Sequence, residues 1–222
     1  MTRAVQIKHE IQNLIALLID NELAIDANAV LVETNNRRHR VTWSTHKGTA
    51  LAAAPFATIE EYSRFLEHRA YSVLLWDGAL LQLSYDFQND DIIGHRLCFY
   101  PCPVDPDPEL LLLAPVLDVV ELYVDSDLGH IRLRSPMRFD YSSNEGSGYP
   151  QAHVHISWLH CRCPVYAPLS LGHFVRFVFA SFYPELWLEH DFLREWPTEQ
   201  YEKTILDCHE DGLHFACKPQ YG

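Results

Sequence analysis

Arg138, Asp140, His153, His155 and Arg162 are the side chains whose types and spacing best suit phosphoryl chemistry in this chain. They lie within residues 130–164, HIRLRSPMRFDYSSNEGSGYPQAHVHISWLHCRCP. This stretch reads as two strands joined by a polar loop. Arg132, Arg134, Arg138 and Asp140 are on the first strand, and His153, His155 and Ser157 on the second. Strand residues two apart point the same way, so each strand offers a polar face, with Val154, Ile156 and Trp158 on an apolar one. A carboxylate beside a histidine fixes its tautomer and raises its pKa toward neutrality. Two histidines supply a general base and a general acid, and an arginine stabilises negative charge developing on phosphate. That set, without metal, is what cleavage of RNA through its own 2′-hydroxyl requires. Tyr141 and Arg162 are helpers, and the loop SSNEGSGYP could close over a substrate. The competing reading is a hydrogen-bonded polar cluster that fixes the hairpin.

Two other chemistries use the same stretch. His153, His155, His160, Cys161 and Cys163 are all legal zinc ligands, but the cysteines are two apart where structural sites use Cys-x2–4-Cys. Cys161 or Cys163 beside a histidine is a candidate nucleophile, supported by composition alone. No glycine-rich phosphate loop, Walker lysine or nucleophile elbow is present. The expectation is a site with no metal and no cofactor, zinc being the lesser alternative.

The elements that must position these groups follow from periodicity and punctuation. Residues 3–23 form an amphipathic helix, with Ile7, Ile11, Leu14, Ile15 and Leu18 on one stripe. It is expected to pack on its own domain, with partner docking as the alternative. Strands follow near residues 29–33 and 40–45, with Arg37, Arg38, His39 and Arg40 in the turn between them. Thr58-Ile-Glu-Glu61 has the capping-box pattern and starts a helix to about residue 68. Asp77-Gly78, between residues 71–76 and 79–87, is the clearest hairpin signal. Both faces of 79–87 hold apolar residues, so this strand is central. Another strand covers 95–103, and a helical segment covers 110–124. After the focal strand pair comes an aromatic helix, 169–183, that lies across the sheet with Ser170 as its N-cap. The tail holds a short helix at 198–208 and a last strand at 213–217. Strands grouped in hairpins with helices between the groups indicate one α+β domain over residues 1–222, with a mainly antiparallel sheet and flanking helices.

The totals narrow the function classes. The chain has 222 residues, 30 acidic against 17 basic, and a formal net charge of −13. Such a mean field repels phosphate, which excludes bulk nucleic-acid binding while leaving room for a local basic patch. The same acidity suits docking onto a basic protein partner. The N-terminus has no signal-peptide layout, and LLLLAPVL is too short for a membrane span. With six cysteines read as free thiols, the expected location is a reducing cytosol.

The stretches YSVLLWDGALLQLSYDF, HRLCFYPCP, MRFDY, YPQAHVHI and RCPVYAPLSLGHFVRFVFASFY occur in this order. Together they resemble the uncharacterised bacterial family called domain of unknown function 2290, from about residue 58 to residue 184. The Asp77-Gly78…Gln82 hairpin and the Arg138…Asp140…His153…Arg162 series are the most specific parts. The resemblance implies a prokaryotic, cytosolic protein and supplies no activity. Arg138-Phe-Asp140 and His153-Val-His155 are also similar to the Arg-Tyr-Asp strand and His-rich segment of small toxins from bacterial toxin–antitoxin pairs. The resulting expectation is a metal-independent, nuclease-like effector acting on RNA, a ribonuclease-type hydrolase or transesterase, in a toxin–antitoxin or anti-phage defence setting. Its partners would be a protein and an RNA substrate, with no membrane. The alternative is a non-catalytic protein-binding subunit of such a complex, in which the acidic surface and the helix 169–183 matter.

Overall fold

The computed structural model describes residues 1–46, 58–126, 131–144, 149–158 and 160–216. In chain order the elements are α1 (Arg3–Asp20), β1 (Ala24–Ala27), β2 (Val30–Asn35), β3 (Arg38–Trp43), α2 (Ile59–Glu67), β4 (Val73–Leu75), β5 (Leu80–Gln88) and β6 (Asp91–Tyr100). There follow α3 (Pro108–Leu113), α4 (Val116–Asp125), β7 (Met137–Ser142), β8 (Ala152–Ile156), β9 (Cys163–Pro164), α5 (Leu171–Phe182), α6 (Pro184–Glu189), α7 (Asp191–Arg194) and α8 (Asp207–Glu210). The strands form one sheet, and every ladder between them is antiparallel. The chain is therefore α+β with a mainly antiparallel sheet and flanking helices.

Strand β5 is central, as its two apolar faces require. One of its edges pairs with β6; the other pairs with β4 near Leu80 and with β3 near Tyr85. The β4–β5 turn closes through Leu75 N–H donating to Ala79 O, with Gly78 at φ 84. The loop is thus one residue longer than the Asp-Gly dipeptide, and the glycine occupies the left-handed position that such three-residue loops need.

One face of the sheet is apolar along its whole length. Leu81, Leu83, Tyr85, Phe87, Leu97, Phe99, Phe139 and Val154 are buried there beneath α1 and α5. The stripe Ile7, Ile11, Leu14 and Leu18 of α1 is buried, so this helix covers its own sheet. Helix α5 buries Phe174, Val175, Val178 and Phe179. The Ser170 hydroxyl caps α5 by accepting from His173 N–H, and Thr58 caps α2 by accepting from Glu61 N–H.

The opposite face changes character along the strands, and this creates the site. At one end Leu74, Leu80, Cys98 and Tyr100 are covered by Tyr62 and Phe65 of α2 and Val116, Val119 and Val120 of α4. Towards the other end the same strands place Ser84, Asp86, Arg96, Arg138, Asp140, His153 and His155 along an open cleft. Helices cover apolar rows because only those rows gain by leaving water. The polar rows stay uncovered.

Several expectations are corrected. Arg38, His39 and Arg40 belong to β3 rather than to a turn, since the two-residue loop is Asn36-Arg37, with Asn36 at φ 56. Residues 198–206 are not helical: the N–H groups of Thr204 and Ile205 donate to Tyr166 O instead of to a helical ladder. The last strand reduces to a bridge between Val165 and Phe215. Cys217, His130 and the loop residues 145–148 lie outside the described residues.

Candidate functional site

The register that the sequence left open is Asp140 opposite His153 and Arg138 opposite His155. Strand β6 extends both rows, with Arg96 opposite Asp140 and Cys98 opposite Arg138. A continuous row Ser84–Arg96–Asp140–His153 therefore crosses β5, β6, β7 and β8 on the cleft side. Arg138, Asp140, His153 and His155 converge on the floor of a cleft of about 940 Å³, which Arg162 also lines.

Asp140 is the hub. Arg138 Nε donates to its Oδ1 at 3.1 Å and Oδ2 at 3.0 Å, and Arg138 Nη2 reaches Oδ2 at 2.8 Å. Arg96 Nε donates to Oδ1 at 3.3 Å, and His155 Nε2 stands 3.4 Å from Oδ2. Burial by itself would raise the carboxyl pKa. The His155 hydrogen bond and the charges of Arg138 and Arg96 reverse that and hold it well below the usual carboxylate range. Asp140 is thus an anion at any neutral pH.

The two histidines meet tip to tip, Nε2 to Nε2, at 3.1 Å. His153 Nδ1 lies 3.0 Å from Pro150 O, an acceptor only, so this nitrogen carries the proton and donates. In the neutral ring the His153 Nε2 lone pair then points into the site, the arrangement found in general bases and metal ligands alike. Burial lowers the His153 pKa, opposed by the Asp140 charge. His155 Nδ1 is buried with no hydrogen-bond partner among the described residues.

His95 shows what a structural histidine looks like in the same region. It faces the apolar side, where Leu169 N–H donates to its Nε2 at 2.9 Å and its Nδ1 donates to Phe139 O at 3.2 Å. Burial lowers its pKa to about 4. Both of its nitrogens are matched by backbone groups, whereas the Nε2 atoms of His153 and His155 meet each other in the cleft and His155 Nδ1 has no hydrogen-bond partner among the described residues.

Other expected residues lie elsewhere. Arg132 and Arg134 precede β7 and pair with Asp105, away from the cleft. Ser157 has φ 57, which ends β8 at Ile156 and leaves Trp158 exposed instead of on the apolar face. Cys163 pairs with Val154, so it shares the buried face of β8. Of the zinc set read from sequence, only the histidines line the cleft; neither cysteine does. The donor atoms that do cluster are those of Asp140, His153 and His155, all within 4.8 Å of one another. On α5, Phe174 and Phe179 are buried, Phe177 is half-buried and Phe182 is exposed.

Sequence reading missed Arg96 and took Arg38 and Arg40 for part of a solvated turn that could touch phosphate; all three line the cleft. For Arg96 the signal was present. Its neighbours Leu97 and Phe99 alternate onto the buried side, which puts Arg96 on the other. Arg162 reaches the cleft beside the Tyr149 ring, 5.0 Å from its centroid.

A family profile described as an uncharacterized conserved protein, DUF2290, matches residues 23–217. The chain belongs to this family. The match takes in the whole sheet, β1 to β9, and so the entire cleft, while α1 precedes it. Neither a curated protein nor a solved structure matches the chain. Among the described residues no helix is long and apolar enough to cross a membrane.

Proposed function

We propose that the protein is a nuclease-like effector that cleaves RNA at this cleft without metal. The supporting observation is the convergence of Arg138, Asp140, His153 and His155 on the floor of a cation-lined cleft in a chain of net charge −13. His153 Nε2 takes the proton from a ribose 2′-hydroxyl. The 2′-oxygen attacks the adjacent phosphorus, and the bond from phosphorus to the 5′-oxygen breaks. His155, beside the Asp140 carboxylate, gives the leaving 5′-oxygen its proton. The products are a 2′,3′-cyclic phosphate and a 5′-hydroxyl. The proton gained by His153 returns to His155 across the 3.1 Å contact, which resets the pair. Arg96 and Arg162 face the charge that builds on the non-bridging oxygens. In the toxin–antitoxin or anti-phage setting that the resemblance of these strands implies, this would be the damaging activity of an effector.

A second reading rests on one distance pattern. A tetrahedral ion with bonds of about 2.0–2.1 Å sets its ligand atoms roughly 3.3 Å apart. His153 Nε2 to His155 Nε2 is 3.1 Å, and His155 Nε2 to Asp140 Oδ2 is 3.4 Å. In that reading Asp140, His153 and His155, whose donor atoms lie within 4.8 Å of one another, would hold a zinc-class ion, which would supply an activated water for the same phosphodiester. The test is RNA cleavage by wild type, His153→Ala and His155→Ala with chelator present. Cleavage that survives chelator and disappears in both variants supports the metal-free mechanism. Cleavage lost on chelation alone selects the metal reading. Intact RNA with every protein leaves the non-catalytic, partner-binding subunit.

A further inference from the structure

We infer that the cleft is a track for a single-stranded oligonucleotide of about five nucleotides, with Arg38 and Arg40 forming a distal phosphate subsite. This rests on the reading of the cleft as a phosphodiester site, but not on which mechanism operates there.

The first support is extent. The cleft wall runs from β3 through β5, β6 and β7 to β8. Four inter-strand spacings of about 4.8 Å give roughly 19 Å. At about 3.4 Å per stacked nucleotide, that length holds about five. A mononucleotide would fill one end and leave the other empty.

The second support is the spacing of charge. Cations recur across the track, with Arg38 and Arg40 on β3, Arg96 on β6, Arg138 on β7 and Arg162 beyond β8. Three acids line it, Glu33, Asp86 and Asp140, so its formal balance is five minus three, or +2, against −13 for the chain. Arg40 is held in place by Asp86, with Nε donating to Oδ1 at 2.7 Å and Nη2 to Oδ2 at 3.2 Å. Arg38 is exposed at the rim. A surface that gathers five arginines here, on a molecule whose mean field repels phosphate, selects for a ligand lying along the cleft.

The third support is strandedness. His153 and His155 are 4% and 3% exposed, at the floor. A stiff duplex cannot bend a phosphodiester down to that depth, whereas a single strand can. At the β8 end the Tyr149 ring, 58% exposed beside Arg162, offers a face on which a base can stack.

The experiment uses fluorescein-labelled 2′-deoxyuridine oligonucleotides of one to eight nucleotides, which cannot be cut through a 2′-hydroxyl. Binding to the full chain is read by anisotropy over a salt series. Affinity should climb with length and level off near five nucleotides. The folded double variant Arg38→Gln/Arg40→Gln should level off about two nucleotides earlier. Its log–log salt slope should fall by about 1.4, two phosphate contacts at about 0.7 each. Equal affinity for one and five nucleotides, an unchanged plateau in the double variant, or no binding at all would each overturn the track. Length-dependent binding by a protein that leaves RNA intact would keep the track and remove the nuclease. Cleavage with length-independent binding would do the reverse.

Discussion

Replacing Asp140 by asparagine keeps the shape of the side chain and removes the charge on which the site turns. Arg138, whose side chain is 6% exposed, then faces a neutral amide, and Arg96 loses its partner on β7. Breaking a buried ion pair from one side costs about 3–5 kcal/mol. The Asp140 side chain is 14% exposed, so the lower end, about 3 kcal/mol, is expected. An unfolding entropy of about 2.1 cal/mol/K per residue over 222 residues converts this to a fall in Tm of about 6 °C. The pH dependence carries a sign that a mere packing defect lacks. The folded pKa of Asp140 is depressed, so the unfolded chain takes up this proton first as pH falls. The stabilisation is complete above the ordinary carboxylate value of about 3.9 and is lost as pH drops below it. The gap between wild type and Asp140→Asn should thus be constant from pH 5 to 8 and narrow below about pH 4. Thermal melts of both proteins over that range measure it. A gap under about 1 kcal/mol, or one that does not narrow in acid, would refute the placement of Asp140 as the anionic hub.

His95→Gln tests the structural histidine. With its folded pKa lowered to about 4, wild-type His95 contributes stability above its unfolded value of about 6.5 that fades between pH 6.5 and 4. The variant should be less stable at pH 7 and lack that slope, read from urea midpoints at each pH. Gly78→Ala introduces a Cβ at φ 84, 3.1 Å from Cys102 Sγ and 3.2 Å from the Tyr62 hydroxyl. A loss of about 1–2 kcal/mol in denaturant midpoint is expected, because the residue must hold a left-handed conformation in a tight space. Arg96→Met should lower RNA cleavage at saturating substrate by more than it raises KM, since in the proposed mechanism its charge acts on the transition state more than on the ground state.

Much of the fold was legible in the sequence for local reasons. The alternation of 79–87 and the glycine of the Asp77-Gly78 turn act over a few residues; the first describes β5, and the second places the hairpin, whose loop is one residue longer than the dipeptide. The caps at Thr58 and Ser170 are equally local. What was not legible depended on partners distant in the chain. Arg132 and Arg134 look like an extension of β7 until Asp105 claims them. The register of β7 against β8 is hidden by a long loop, and it is this register that sets Asp140 against His153 and His155. The cationic far end of the cleft was misplaced because Arg38 and Arg40 sit close to a turn, and only the β3–β5 ladder shows which side they face. The cysteines at 161 and 163 looked eligible as metal ligands, but the pairing of Cys163 with Val154 turns that thiol to the core.

The most direct test of the central claim is a single-turnover assay of a short RNA with chelator present, comparing wild type with His153→Ala. The account predicts cleavage leaving a 2′,3′-cyclic phosphate, and a rate about 10²–10⁴-fold lower in the folded variant, as expected for losing a general base. RNA that stays intact with wild-type protein, or is cut equally well without the imidazole, would contradict it.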